Sequence, residues 1–165
     1  MKALINPVIV FGVSGCGKST IANEVSRNLS AEFLDADDFH PQSNIDKMAS
    51  GQPLTDDDRA PWLAHLNQLM IEKASQNQQV VLACSALKEQ YRVILSDNLN
   101  PFWCHLALSE QMVIERMMRR QNHFMKANMV RSQFEALEKP EYGLIVDATQ
   151  SVENIVKIIL EHINE

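Results

Sequence analysis

The sequence predicts a single α/β domain over residues 1–165: a five-stranded parallel sheet with helices on both faces. Three observations carry this expectation. Short apolar runs alternate with stretches of helical periodicity along the whole chain, the pattern of repeated strand–helix–strand crossovers. The first run leads into Gly12-Val13-Ser14-Gly15-Cys16-Gly17-Lys18-Ser19, which fits G-x-x-x-x-G-K-[ST], the phosphate-binding P-loop. The second run ends in acids, Asp35 and Asp37, and ligands of open α/β sheets gather beyond the carboxyl ends of strands. The crossovers should be right-handed.

Pro7-Val8-Ile9-Val10-Phe11 is the first strand, apolar and β-branched. Thr20 to Leu29 is the first helix, with Ile21, Val25 and Leu29 on one face. Between them, glycines let the backbone curl so that its N–H groups converge on phosphate oxygens, and the helix N-terminus adds partial positive charge. Gly12, Val13, Ser14, Gly15, Cys16, Gly17, Lys18, Ser19 and Thr20 are therefore the expected nucleotide-phosphate contacts. Lys18 is expected to reach the β/γ-phosphates and serve catalysis, and the Ser19 hydroxyl to ligate Mg²⁺. A dinucleotide fingerprint fails in both registers: Ser14 stands third from Gly12, and Thr20 stands sixth from Gly15.

Glu32-Phe33-Leu34 is the second strand, delivering Asp35-Ala36-Asp37-Asp38-Phe39-His40-Pro41. Asp35 and Asp37, two apart, face the same way in extended chain. A P-loop enzyme needs acids here for magnesium and for the acceptor proton; an acidic turn or cap is the plainer reading. A helix over Pro41 to Ser50 ends at Gly51-Gln52-Pro53. Thr55 or a following Asp caps the next helix, with Pro61 near its start and Trp62, Leu63, Leu66, Leu69 and Met70 as its core stripe. Arg59 is either an ion pair with the preceding acids or a substrate contact.

The third strand, Gln79 to Cys84, ends at Ser85, an N-cap, a substrate residue, or both. A helix follows through Tyr91, Arg92 and Leu95. Phe102 to Leu108 is the fourth strand, and Ser109 caps a helix with Met112, Val113 and Met117 on one face. On that helix Arg116 and Arg120 share a face, with Arg119 beside them: a solvated basic stripe, or planar donors for a nucleotide. Gln121 to Asn128, which contains His123, has weak periodicity and reads as a lid. Helix resumes from Met129 to Leu137, Gly143 to Asp147 is the fifth strand, and Val152 to Ile163 is a strongly amphipathic last helix.

Composition narrows the function classes. A net charge of −6 argues against broad nucleic-acid binding, though not against a local basic pocket. Cys16, Cys84 and Cys104 are odd in number and lack metal-ligand spacing, as expected of reduced thiols in the cytoplasm. No apolar run approaches the ~20 residues of a membrane helix, and the N-terminus has no signal-peptide pattern.

With these residues in place, the chain resembles the gluconate kinases, relatives of shikimate kinase in the nucleoside-monophosphate-kinase-like group of P-loop proteins. The resemblance rests on GVSGCGKS, FLDADDFHP, NIDKMASGQPLTDDDRAPWL, CSALKEQYR, RRQNHFM and SQFEALEKP and covers most of the chain. The first segment is generic to P-loops; the others are jointly specific. Cys16 and Ala36 stand where these kinases often have Ser and usually Gly, and neither removes a functional group. The resemblance implies strand order 2-3-1-4-5, a substrate-covering helical region at about 40–77 and an ATP lid at about 121–128. It implies transfer of phosphate from ATP to the 6-hydroxyl of D-gluconate. Asp35 would hold Mg²⁺ through water, and Asp37 would receive or orient the hydroxyl. His40, Arg59, Arg92 and Ser85 would contact substrate, with His123 in the lid, and Arg116 and Arg120 would face the nucleotide. Many members are homodimers, which no residue here fixes. Two other readings stay open: a kinase for another sugar acid or shikimate, and a nucleotide-binding regulator without turnover.

Overall fold

A computed structural model describes residues 6–119 and 127–164. Five parallel strands run in the order β2-β3-β1-β4-β5, as the resemblance implies: β1 (Val8–Phe11), β2 (Glu32–Asp35), β3 (Val80–Cys84), β4 (Phe102–Ala107) and β5 (Leu144–Asp147). Every residue of β1 and β3 is buried, so these strands read as unbroken apolar runs rather than alternating ones.

The two sheet faces make two cores. Val8, Val10, Val81, Ala83, Cys104 and Leu106 pack with residues of α1 (Lys18–Leu29) and α7 (Val152–Ile163). Ile9, Phe11, Val80, Leu82, Cys84 and Trp103 pack with α3 (Asp56–Ser75) and α4 (Glu89–Leu95). Alternation along each strand sends successive side chains to opposite cores. The periodicity of the last helix was informative: Ile155, Val156 and Ile159 are its buried residues, and Ser151 caps it.

Three further helices surround the carboxyl ends of the strands: α2 (Gln42–Ala49), α5 (Glu110–Arg119) and α6 (Ala127–Ala136). Arg120 and His123, with most of the expected lid, lie outside the described residues. Among the described residues no helix is long and apolar enough to cross a membrane.

Some local expectations shift. Thr55 does cap α3, in a reciprocal capping box with Asp58, but the helix then starts at Asp56, leaving Pro61 beyond the first turn. Pro61 therefore costs one internal hydrogen bond, because it has no N–H for the Asp57 carbonyl. Ser85 caps nothing: α4 begins at Glu89 with Lys88 before it, and Ser85 stands in the connecting turn beside Ala86, whose φ is +39°.

Candidate active site

The P-loop runs from the end of β1 into α1. Gly12 is required sterically: a Cβ there would lie 2.8 Å from the Leu106 carbonyl oxygen and 2.9 Å from Cys16 Sγ, and a backbone carbonyl cannot yield. Gly17 precedes the helix at φ +89°, where a side chain would be strained. Lys18, half-buried, opens α1, and Ser19 and Thr20 are exposed. Among the described residues Lys18 makes no ion pair.

The Ser19 hydroxyl donates to Asp35 Oδ2 at 2.8 Å, bringing together the two residues expected at the metal. Both are hard oxygen ligands of the kind Mg²⁺ selects, and adjacent ligands around that ion sit roughly 2.9 Å apart at its ~2.1 Å bond length. Among the described residues no cluster of three or more His, Cys, Asp or Glu side chains could hold a metal. Mg²⁺ in phosphoryl-transfer sites is held by one or two protein ligands and completed by phosphates and water.

Asp35 also accepts from the Asp37 backbone N–H at 3.1 Å, bending the chain into the 3₁₀ turn Ala36–Phe39. Asp37 itself projects into solvent, its side chain 75% exposed. The turn is anchored from α3, where the Trp62 indole N–H donates to the Ala36 carbonyl at 2.8 Å. His40 stacks on Trp62 with centroids 4.1 Å apart. Asn44 donates to His40 Nδ1 at 3.3 Å and to the Asp58 carbonyl at 3.0 Å. The His40 ring therefore carries its proton on Nε2, 3.9 Å from Asp37 Oδ1. Burial, more than the nearby Arg59, pulls the imidazole below its usual range against the opposing effect of Asp37, so the ring is neutral at pH 7.

Arg59 does not pair with the acids before it. Its Nη1 donates to the Tyr91 hydroxyl at 3.0 Å and its guanidinium lies over the Tyr91 ring. Asp56 instead accepts from Tyr91, Lys88 and Gln90. The Tyr91 and Lys88 bonds hold its carboxyl at about 2. Among the described residues the other Arg59 donors make no hydrogen bond. Much of NIDKMASGQPLTDDDRAPWL is thus scaffold: Asn44, Lys47, Thr55, Asp58 and Trp62 fix the acidic turn against α3.

Arg92 is the clearest departure from expectation. It is 1% exposed and sits over the Phe11 ring. Its Nη1 donates to the Ala86 and Leu87 carbonyls, its Nη2 to the Glu138 carbonyl, and its Nε to Glu89 and Tyr142, while Nη2 also lies 3.1 Å from Glu89 Oε2 as an ion pair. Buried and engaged at all three guanidinium nitrogens, the side chain is not open to a substrate carboxylate in this arrangement. Arg92 braces the turn that carries Ser85. Arg92→Ala should lower the free energy of unfolding in urea by about 3 kcal/mol or more, because several buried carbonyls lose their donor. A loss below about 1 kcal/mol, with a raised KM for substrate, would restore the direct-contact role.

Arg116 reaches the nucleotide loop from α5, donating Nη1 to the Gly15 carbonyl at 3.2 Å and Nη2 to the Ala148 carbonyl at 2.8 Å. Burial raises the Cys16 thiol despite Lys18 nearby, and pushes Cys84 and Cys104 up to about 12, so none is a ready thiolate. Sequence reasoning missed Tyr91 and Gln133. Tyr91 was visible only as an apolar helical position. Gln133 binds Ser14 from a helix 119 positions away, which no local pattern reveals.

The geometry has counterparts in known proteins. A shikimate kinase family model matches residues 14–164. The chain is 41% identical to the thermoresistant gluconokinase of Escherichia coli K12 over 162 residues, covering 95% of this chain and 93% of that one. It is 42% identical to the gluconokinase of Gluconobacter oxydans over 134 residues, covering 81% and 75%. The crystal structure of a gluconokinase from Sinorhizobium meliloti superposes with a TM-score of 0.85 at 36% identity, over 97% of this chain and 92% of that one. Together, the motif, the strand order and these relatives show that the chain belongs to the shikimate-kinase family of P-loop kinases and, within it, to the gluconokinases.

Proposed function

We propose that this protein transfers the terminal phosphoryl group of MgATP to the 6-hydroxyl of D-gluconate, giving 6-phosphogluconate and ADP. The observation that carries the mechanism is the approach of Ser19 to Asp35 at the mouth of the P-loop, with Asp37 exposed one turn further on. Mg²⁺, held by Ser19 and Asp35, directly or through water, would neutralise charge on the phosphates. The P-loop amides and Lys18 bind and orient the triphosphate, and Asp37 receives or orients the proton of the attacking hydroxyl. In-line transfer of this kind depends on positioning and charge stabilisation, not on a covalent enzyme intermediate.

Gluconate carries a carboxylate at the end remote from its 6-hydroxyl. Arg59, with donors to spare, is the cation we assign to it, since a guanidinium matches a carboxylate in two-point geometry. Neutral His40 supplies a hydrogen bond to a hydroxyl rather than a charge. Ser85 is placed with them at the substrate. Residues 40–77 form the substrate-covering region and 121–128, with His123, the lid; Arg116 and Arg120 serve the nucleotide. The cysteine usage supports a cytoplasmic protein, and the homodimers formed by many members of the family support the same assembly here.

An ADP-formation assay across gluconate, glucose, shikimate and nucleoside monophosphates tests the reading. Gluconate should be used at least about a hundredfold better, by kcat/KM, than glucose or the monophosphates, since a charged hydrogen bond contributes roughly 1.5–3 kcal/mol. Arg59→Ala should raise KM for gluconate more than for ATP. Equal use of glucose and gluconate would defeat the carboxylate assignment. Activity on shikimate alone would keep the kinase and discard the substrate.

A further inference from the structure

Gln133, on α6, grips the phosphate loop at Ser14 through both ends of its carboxamide. Its Oε1 accepts from the Ser14 backbone N–H at 2.6 Å, and its Nε2 donates to Ser14 Oγ at 3.0 Å. One side chain thus engages both the backbone N–H and the hydroxyl of Ser14, and an amide is suited to it because it carries a donor and an acceptor side by side. Around Ser14 the loop has little intrinsic stiffness, since Gly12, Gly15 and Gly17 all take positive φ.

The chain just beyond Gln133 is fixed as well. Immediately after α6, the Glu138 N–H donates to the Leu87 carbonyl at 2.8 Å, and Glu138 Oε1 accepts from the Glu89 N–H at 2.6 Å. The Glu138 carbonyl takes the Arg92 guanidinium at 2.6 Å. So the C-terminal turn of α6 and the residues just after it touch both the nucleotide loop and the turn that holds Ser85, Ala86 and Leu87. Arg116 holds the neighbouring Gly15 carbonyl from α5, so two helices fix adjacent residues of the loop.

We propose that Gln133 is a positioning residue for nucleotide binding: it holds the P-loop at Ser14 in the conformation that receives the triphosphate. This rests on reading the chain as an ATP-dependent kinase, but not on the identity of the acceptor. The pre-set loop spares ATP the cost of ordering three glycine-flanked residues on binding, which is how preorganisation raises affinity.

The test compares native protein, Gln133→Met, Ser14→Ala and the double variant. Methionine keeps the length and volume of the side chain while removing both hydrogen-bonding groups. The readouts are the calorimetric Kd of a non-hydrolysable ATP analogue with Mg²⁺, hydrogen exchange of the peptide covering residues 12–17, the thermal midpoint, and KM for gluconate. Gln133→Met should weaken nucleotide binding about 5- to 30-fold, the worth of one to two neutral hydrogen bonds. It should speed exchange in the loop and leave KM for gluconate within about twofold, the change expected when the acceptor's own contacts are untouched. Ser14→Ala should add less in the Gln133→Met background than alone, since the two share a contact. A nucleotide Kd changed by less than about threefold, well under one hydrogen bond's worth, overturns the proposal. So does full additivity of the two substitutions, or a lowered thermal midpoint with unchanged nucleotide Kd. If Gln133→Met does not fold, Gln133→Ala carries the test, because it removes the same two hydrogen bonds without leaving a side chain to crowd the loop. Nucleotide binding is measured without acceptor, so a protein that binds ATP but ignores gluconate would sink the substrate assignment and leave this one standing.

Discussion

Lys18→Ala is expected to cut kcat by about a hundredfold or more, the worth of one positioned donor at developing phosphate charge, with little change in stability. Lys18 is half-buried at the first position of α1, and among the described residues it forms no ion pair whose loss would unbalance the fold. Truncation leaves no core cavity, because the apolar contacts of α1 are made by Ile21, Ala22 and Val25. Alanine also favours the helix at that position. The loss falls on catalysis because the charge is placed where the triphosphate sits and is stabilised most as the phosphoryl group leaves. Steady-state kinetics at saturating ATP and gluconate, with a urea unfolding curve beside them, check it. A Lys18→Ala protein with near-native kcat would remove the P-loop from the mechanism.

Much of this architecture was legible in the sequence because it rests on local chemistry. The P-loop is read from contiguous residues, and the structure shows why: Gly12 is fixed by a 2.8 Å approach to Leu106 and Gly17 by its positive φ. The strands were visible as apolar runs because β1 and β3 are buried on both faces. The amphipathic period of α7 and the caps at Thr55 and Ser109 set helix starts within a residue. The approach of Ser19 to Asp35 follows from the parallel sheet, since the loops after β1 and β2 leave the same carboxyl edge although β3 lies between them.

What the sequence hid were contacts between distant segments. Arg92 carries the residue type of a carboxylate binder, and nothing local distinguishes that role from a buried brace. The difference lies in the Glu138 carbonyl and the Tyr142 hydroxyl, which arrive from about fifty residues downstream. Arg59 is the converse case. Four carboxylates or caps stand just before it, yet Tyr91 from α4 takes Asp56, and Lys47 from α2 takes Asp58. A crowded local sequence suggested an ion pair that tertiary packing redistributed. Where the residues around a charged side chain are themselves claimed by other elements, the side chain left over is the one with donors to offer a ligand.

Asp37→Asn should lower kcat by about 10²–10⁴-fold, the usual range for a general base, while leaving ATP binding nearly intact. The two acids at the end of β2 are held differently, and that difference is the basis of the roles proposed for them. Asp35 spends one oxygen on Ser19 and the other on the Asp37 backbone N–H, so it is tied to the P-loop and shapes the turn. Asp37 makes no hydrogen bond through its own carboxylate among the described residues, and His40 Nε2 approaches it only to 3.9 Å. A group left open beside the phosphate site is the one available to a substrate hydroxyl. Asparagine preserves its size and exposure but cannot accept a proton in the same way, so folding should be unaffected. The same substitution at Asp35 should instead raise the Mg²⁺ concentration needed for half-maximal rate, because a metal-side oxygen loses its charge. Mg²⁺ and gluconate titrations of both variants, with the ATP-analogue Kd measured calorimetrically, separate the outcomes. If Asp37→Asn weakens nucleotide binding while kcat at saturation survives, Asp37 belongs to the metal and Asp35 to the hydroxyl, and the two assignments exchange.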